Sequence, residues 1–182
     1  MVHSCKDYLE AAEDEYILQH ISMDKFPIVD WVPPGDESLA FLTLCFLKGN
    51  PEAIFRRGMM EYFSLTRVES GLDYLKRAAE KGHPEATYAY CMILLSKGEK
   101  SVLNLLNSRF RDWKIQDCRD KIRWVLSQIW INNRISLQQD YIFNCHHHGI
   151  GIGGFDRQVF SCQSCMWYQE LRVFSRIVNG VA

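Results

Sequence analysis

The chain has 182 residues, 47% of them hydrophobic and 24% charged, which is enough to bury an ordinary single-domain core and excludes disorder as the default state. Its 21 Lys and Arg against 22 Asp and Glu leave a net charge of −1, with no basic excess for nucleic-acid backbones and no acidic excess for cationic partners. No apolar leader follows a basic start and no run approaches the ~18 apolar residues of a membrane span, so the expectation is a soluble protein of the cytoplasm or nucleus.

From Lys6 to His20 the positions of Tyr8, Leu9, Ala12, Tyr16 and Ile17 form a helical stripe and predict one amphipathic helix. Ser22 to Pro34 contains Pro27, Pro33 and Pro34, which deny a continuous helix and predict an ordered connector with Phe26, Val29 and Trp31 packed back on the core. A second helix is expected from Asp36 to Lys48, burying Leu39, Leu42 and Phe46 and stopped by Gly49.

There begins a five-residue phrase that occurs twice, Gly49-Asn50-Pro51-Glu52-Ala53 and Gly82-His83-Pro84-Glu85-Ala86, 33 residues apart. That separation matches a helix-turn-helix repeat of the tetratricopeptide or Sel1 type, with a period of about 34 residues. In each copy Gly suits the left-handed position after a helix, and Pro suits the first helical turn. The first repeat helix should run from Pro51 to Phe63, presenting Phe55, Met59, Tyr62 and Phe63, with Gly58 at a site of close backbone approach. Its partner, Val68 to Lys81, places Leu72, Leu75, Ala78 and Ala79 on one stripe. A second, degenerate unit follows, Pro84 to Ser96 and Ser101 to Phe110. A long helix is then expected from Lys114 to Trp130, with Ile115, Cys118, Ile122, Val125, Leu126 and Ile129 on its buried face and Cys118 read as a small hydrophobe, a metal role being the competing reading.

Beyond Asn132 and Asn133 the character of the chain changes, with a short strand expected at Tyr141-Ile142-Phe143. Cys145 and His148 form C-x2-H, and Cys162 and Cys165 form C-x2-C, across a Gly-rich loop. Three thiolates and one imidazole are ligands that tetrahedral Zn²⁺ prefers, and the protein would fill all four positions, so the site is read as structural. His146 or His147 could take the place of His148. Gly149, Gly151 and Gly154 spell G-x-G-x-x-G, but no βαβ unit surrounds them, so they are read as turn residues between the two zinc knuckles and not as a nucleotide site. No nucleophile–base pair, paired catalytic carboxylates or Walker motif stands out, and the zinc-deaminase H-x-E is missing. The chain is not expected to be an enzyme.

The chain resembles plant F-box proteins that couple a Sel1/tetratricopeptide-like helical region to a Cys-rich tail. The resemblance is carried by Ser4-Cys5-Lys6 with Ala11-Ala12, Val29-Asp30-Trp31, Gly49-Asn50-Pro51-Glu52-Ala53, Gly58 with Glu61-Tyr62-Phe63, Gly71-Leu72 through Leu75-Lys76-Arg77-Ala78-Ala79, and Cys162-x2-Cys165-x-Trp167-x2-Glu170-x3-Phe174. In that family the F-box grips a Skp-type adaptor on a cullin ubiquitin ligase and the remainder is expected to recruit a substrate, so the resemblance implies an adaptor. The F-box would precede Ser4-Cys5-Lys6, which leaves residues 1–35 as the remnant of such a module plus connector, and Skp-type binding is expected only with an F-box upstream.

The expected architecture is all-α: residues 36–131 a short Sel1/TPR-like repeat stack with capping helices before it, and residues 132–182 a small Cys/His zinc-binding tail. Its expected function is protein–protein interaction, as the substrate-recruiting part of a ubiquitin ligase adaptor. The alternatives are a truncated regulator competing for the same partners and a zinc-dependent enzyme. Arg56, Arg57, Tyr90 and Lys97 are candidate partner contacts on the concave side, with a packed or solvated position as the competing reading of each.

Overall fold

The computed structural model describes residues 15–28, 36–110, 115–137 and 163–180. Every regular element among them is helical: α1 (Glu15–His20), α2 (Asp36–Leu47), α3 (Pro51–Met59) continued by a π-helical turn (Met60–Ser64), α4 (Val68–Glu80), α5 (Pro84–Ser96), α6 (Val102–Arg109), α7 (Ile115–Ser127) and α8 (Gln163–Asn179). The start of the first expected helix and the strand expected at 141–143 lie outside the described residues.

Local chemistry explains the helix boundaries in the repeats. Gly49 (φ 84°), Gly82 (φ 86°) and Gly98 (φ 93°) all occupy the left-handed region directly after a helix, where a Cβ would be strained. Pro51 and Pro84 open α3 and α5, and the residue before each proline caps its helix with a side chain. Asn50 Oδ1 accepts from Glu52 N and Ala53 N, while its Nδ2 donates to the carbonyls of Leu18 and Ile21, so one amide caps α3 and ties down the end of α1. His83 Nδ1 accepts from Ala86 N in the second copy.

The first repeat pair, α3 and α4, meets backbone to backbone. A Cβ on Gly58 would lie 2.9 Å from Leu75 Cγ and 3.0 Å from Leu75 N, and one on Gly71 would lie 2.6 Å from Tyr62 N. The π turn falls at this crossing, and its wider winding carries three consecutive residues, Glu61, Tyr62 and Phe63, into the interior. The expected single helix from Pro51 to Phe63 is therefore an α-helix and a π turn, with the anticipated side chains buried.

α5 is the central helix. It packs against α4, α6, α7 and α8, and is buried on every side through Ala86, Thr87, Tyr88, Ala89, Cys91, Met92, Ile93 and Leu95. α7 buries Cys118, Ile122, Val125 and Leu126 as expected, and stops at Ser127, short of the expected Trp130, whose side chain is exposed. At the other end a smaller cluster joins Leu18, Met23, Cys45 and Ala53, with Phe26 packed on it. Here one expectation is corrected: Leu39 is 55% exposed, and Cys45 takes the interior position of α2.

α8 was not anticipated as a helix, because residues 132–182 were read as one zinc-binding tail. Its Trp167, Glu170, Leu171, Phe174, Ser175 and Val178 recur at helical spacing and close the large core against α5, α6 and α7. Trp167 Nε1 donates to Asn107 Oδ1 at 2.6 Å. Arg119 makes a bidentate ion pair with the buried Glu170, whose Oε1 also accepts from Tyr88 at 2.6 Å. Burial, and then Glu170 itself, raise the Tyr88 phenol far above its ordinary range, so it remains a donor.

The two glycine roles separate by substitution. Gly71→Ala is expected to cost about 3 kcal/mol in urea denaturation, because overpacking against the Tyr62 backbone exceeds the helix-propensity gain of about 1 kcal/mol. Gly82→Ala, with nothing within 4 Å of the added Cβ, should cost only the left-handed backbone penalty of about 1–2 kcal/mol.

Candidate functional site

A cleft of about 440 Å³ opens where the repeats meet the chain that follows α7. Tyr62 from the π turn, Val68 from the start of α4, Ser96 and Lys97 from the end of α5, and the segment Asn133–Ser136 line it. Ending a π turn frees backbone carbonyls, and two asparagines take them up. Phe63 O accepts from the backbone amides of both Asn132 and Asn133. The Asn132 side chain donates to Ser64 O and that of Asn133 to Tyr62 O. From the far side, Asn179 of α8 holds the next residues, its Oδ1 accepting from Ile135 N and its Nδ2 donating to Ile135 O.

Exposure alternates along this segment, with Arg134 and Ser136 outside and Ile135 buried, the period of an extended chain. Lys97 Nζ sits 5.5 Å from the Tyr62 ring centroid. Burial raises the Tyr62 phenol, so it too stays protonated. Neither Lys97 nor Arg134 forms an ion pair with a described residue, whereas Arg57 and Arg67 nearby are both held by the buried Glu61. Burial pushes Glu61 up, but hydrogen bonds from Ser70 and Arg57 outweigh it and keep the carboxylate ionised.

Of the four candidate partner contacts, only Lys97 lines the cleft. Arg57 is half exposed and paired with Glu61. Tyr90 is half-buried against the large core. Arg56 is 6% exposed, with its guanidinium donating to Glu52, to Phe26 O and to Met23 O, so it fastens the connector after α1 and offers no surface to a partner. Sequence reasoning missed Arg134, Asn133 and Ile135. Their signal was local, since the paired asparagines after α7 are the residues best suited to stray carbonyls.

Cys145, His148 and Cys162 lie outside the described residues, as do His146 and His147. Cys165 is half-buried in the first turn of α8, and no group of three or more metal-binding side chains occurs among the described residues. Burial pushes the Cys91 and Cys118 thiols up to about 12, which makes them unreactive core residues and bears out the packing role read for Cys118. No helix among the described residues is long and apolar enough to cross a membrane.

A second polar centre lies on the first copy of the repeated phrase. Glu52 accepts from Arg56 at 2.7 Å, from His83 Nε2 at 2.8 Å and from Lys121 at 2.9 Å. His83 stacks on Phe55, and the Arg56 and Lys121 cations lie over the Trp124 ring. One carboxylate thus joins both copies of the phrase to α7. Burial opposes its ionisation, but the hydrogen bonds from His83, Lys121 and Arg56 prevail and bring it down to about 2.

The sequence profile of a family described as plant tetratrico peptide repeats matches residues 23–127, well over half of the chain. The chain belongs to this family. The matched segment ends with α7, so plant tetratrico peptide repeats account for α2 to α7, while the Asn133–Ser136 wall of the cleft and α8 lie beyond it. Three curated relatives come from Arabidopsis thaliana. A putative F-box protein is 33% identical over 96 residues, 53% of this chain and 31% of the relative. An F-box protein is 30% identical over 95 residues, 52% of this chain and 57% of the relative. Another F-box protein is 36% identical over 73 residues, 39% of this chain and 22% of the relative. The match thus spans between about a fifth and just over half of each relative's length. No solved structure matches the chain at a significant level.

The Glu52 centre predicts an acid-sensitive stack. Its folded value of about 2 lies below the ordinary 4.5, so the contribution is complete above about pH 5 and is lost as pH falls toward 2, at most about 3 kcal/mol in all. Urea midpoints measured from pH 7 to pH 2 should show that acid limb in the natural chain. In Glu52→Gln the limb should be flattened, with a loss at pH 7 of similar size, about 3 kcal/mol.

Proposed function

We propose that this chain is a protein-interaction module that recruits a substrate to an F-box-type ubiquitin ligase. The observation that carries the reading is the plant tetratrico-peptide-repeat match across the helical stack, taken together with relatives that are F-box proteins. Stacked helix pairs hold partners by surface complementarity and need no reacting group, so the chain acts as an adaptor and not as a catalyst. Its place of action is the cytoplasm or nucleus. Skp-type binding belongs to it only where an F-box accompanies the stack.

Zinc supports this role structurally. Cys145, His148, Cys162 and Cys165 form a donor set of three thiolates and one imidazole that suits Zn²⁺, with His146 or His147 as substitutes for His148. Bound there, the metal supplies folding free energy to the Gly-rich loop between the two pairs.

Affinity capture from plant extract on the immobilised chain, read by mass spectrometry, should recover a substrate protein. Recovery of nothing above the bare resin would refute the interaction module. The competing reading, a regulator that binds the same partners without delivering them to a ligase, predicts no retention of an isolated Skp-type adaptor, and stable retention by this chain alone removes it. Metal analysis should give one zinc per chain, and Cys162→Ser should lose both the metal and several degrees of thermal stability. Zinc retained at one per chain in that variant would overturn the ligand assignment.

A further inference from the structure

The cleft beside Lys97 lies at the junction of the repeats with the segment that α8 pins in place, and three features of it point to one kind of occupant. The first is charge that no described residue compensates. Lys97 and Arg134 both line the cleft, and neither has an acidic partner among the described residues, while the neighbouring Arg57 and Arg67 share the Glu61 carboxylate. The second is apolar lining: Tyr62, Val68 and the buried Ile135 share the cleft with the two cations, and Lys97 Nζ lies 5.5 Å from the Tyr62 ring centroid.

The third feature is a backbone edge that no described residue pairs. Ile135 turns both its amide and its carbonyl to Asn179. In an extended chain the residues on either side point the other way, and the amides and carbonyls of Arg134 and Ser136 make no hydrogen bond among the described residues. A row of unpaired backbone groups beside such a segment is a template for an added strand.

We propose that this cleft binds an extended, carboxylate-bearing segment of a partner protein, its backbone paired along Arg134–Ser136 and its carboxylate held between Lys97 and Arg134. The volume of about 440 Å³ lies within the range of ligand clefts and has room for few residues. Two cations on a chain of net charge −1 are too few to track a nucleic-acid backbone, so the occupant is a peptide. The proposal rests on the interaction-module reading and names the chemistry of the partner that module would hold.

Fluorescence anisotropy with the full chain tests it. The probe is a labelled, C-terminally amidated Gly/Ser peptide carrying four glutamates, and its counterpart replaces those glutamates with glutamine. The acidic peptide should bind more weakly as salt rises, and the glutamine peptide should not bind. Lys97→Gln with Arg134→Gln should weaken binding by about tenfold or more, in line with the loss of hydrogen bonds to a charged group. Lys76→Gln with Arg109→Gln, the same charge change on exposed positions of α4 and α6, should leave binding within about twofold.

Because Lys97 and Arg134 are exposed and outside any described ion pair, their variant keeps the fold, checked by an unchanged melting curve. A free C-terminus on the glutamine peptide that restores binding would assign the site to a terminal carboxylate, and binding by the glutamate peptide alone assigns it to side chains. Equal affinity for the acidic and glutamine peptides, or equal weakening by the two double variants, overturns the proposal. Capture of a plant protein that survives Lys97→Gln/Arg134→Gln, with no peptide binding, overturns the cleft and leaves the interaction module standing. Capture of nothing with intact peptide binding does the reverse.

Discussion

The Glu52 carboxylate fixes how the two repeats sit on one another, because it binds side chains from three directions and belongs to a helix that cannot shift. Gly58 and Gly71 hold α3 against α4 with no room for a methyl group, so the position of Glu52 is set by backbone contact. His83 must then reach it from the start of the second repeat, and Lys121 from α7. The stack is therefore pinned both by its steric crossing and by a charge that loses its partners if either neighbour slides. A buried ion left alone costs several kcal/mol, so such a centre enforces one arrangement more than it adds net stability.

Irregular backbone elsewhere is stabilised by asparagine. Asn50 joins α1 to α3, Asn132 and Asn133 satisfy the carbonyls at the end of the π turn, and Asn179 holds Ile135 by both its amide and its carbonyl. An amide side chain carries a donor and an acceptor on one short stem, which is what a pair of neighbouring stray backbone groups requires. The cleft is a by-product of this repair. It forms where the chain is held on one edge by such contacts and has no described partner on the other.

The repeated portion of the fold was legible because its signals are local. Glycine and proline at fixed offsets marked where α3 and α5 begin, and apolar spacing placed Leu75, Ala78 and Ala79, then Ile122, Val125 and Leu126, inside. The π turn was not legible, since an extra residue in one turn alters no short-range preference. α8 was missed for a different reason. Trp167, Glu170 and Phe174 have helical spacing, but Cys162 and Cys165 drew attention to metal chemistry, and a glutamate in the stripe obscured the apolar face. Glu170 can lie there because Arg119 and Tyr88 meet it, a fact that only tertiary structure supplies. Arg56 was read as a candidate partner contact with a packed position as the competing reading, and the packed position holds. A cation on a helix reads as solvated until the carbonyls of Met23 and Phe26 are found around it.

The bond between Arg119 and Glu170 also bears on how the molecule is made. The two residues are 51 positions apart and Tyr88 is 82 from the same carboxylate. At ribosomal speeds of about 5–20 residues per second, Arg119 waits several seconds for its partner to be synthesised. Throughout that interval the nascent repeats carry an unmatched cation, a buried-to-be phenol and the uncovered apolar surface that Trp167 and Phe174 will later occupy. The stack thus completes from behind, and the period before α8 arrives is when a chaperone would find the most to hold.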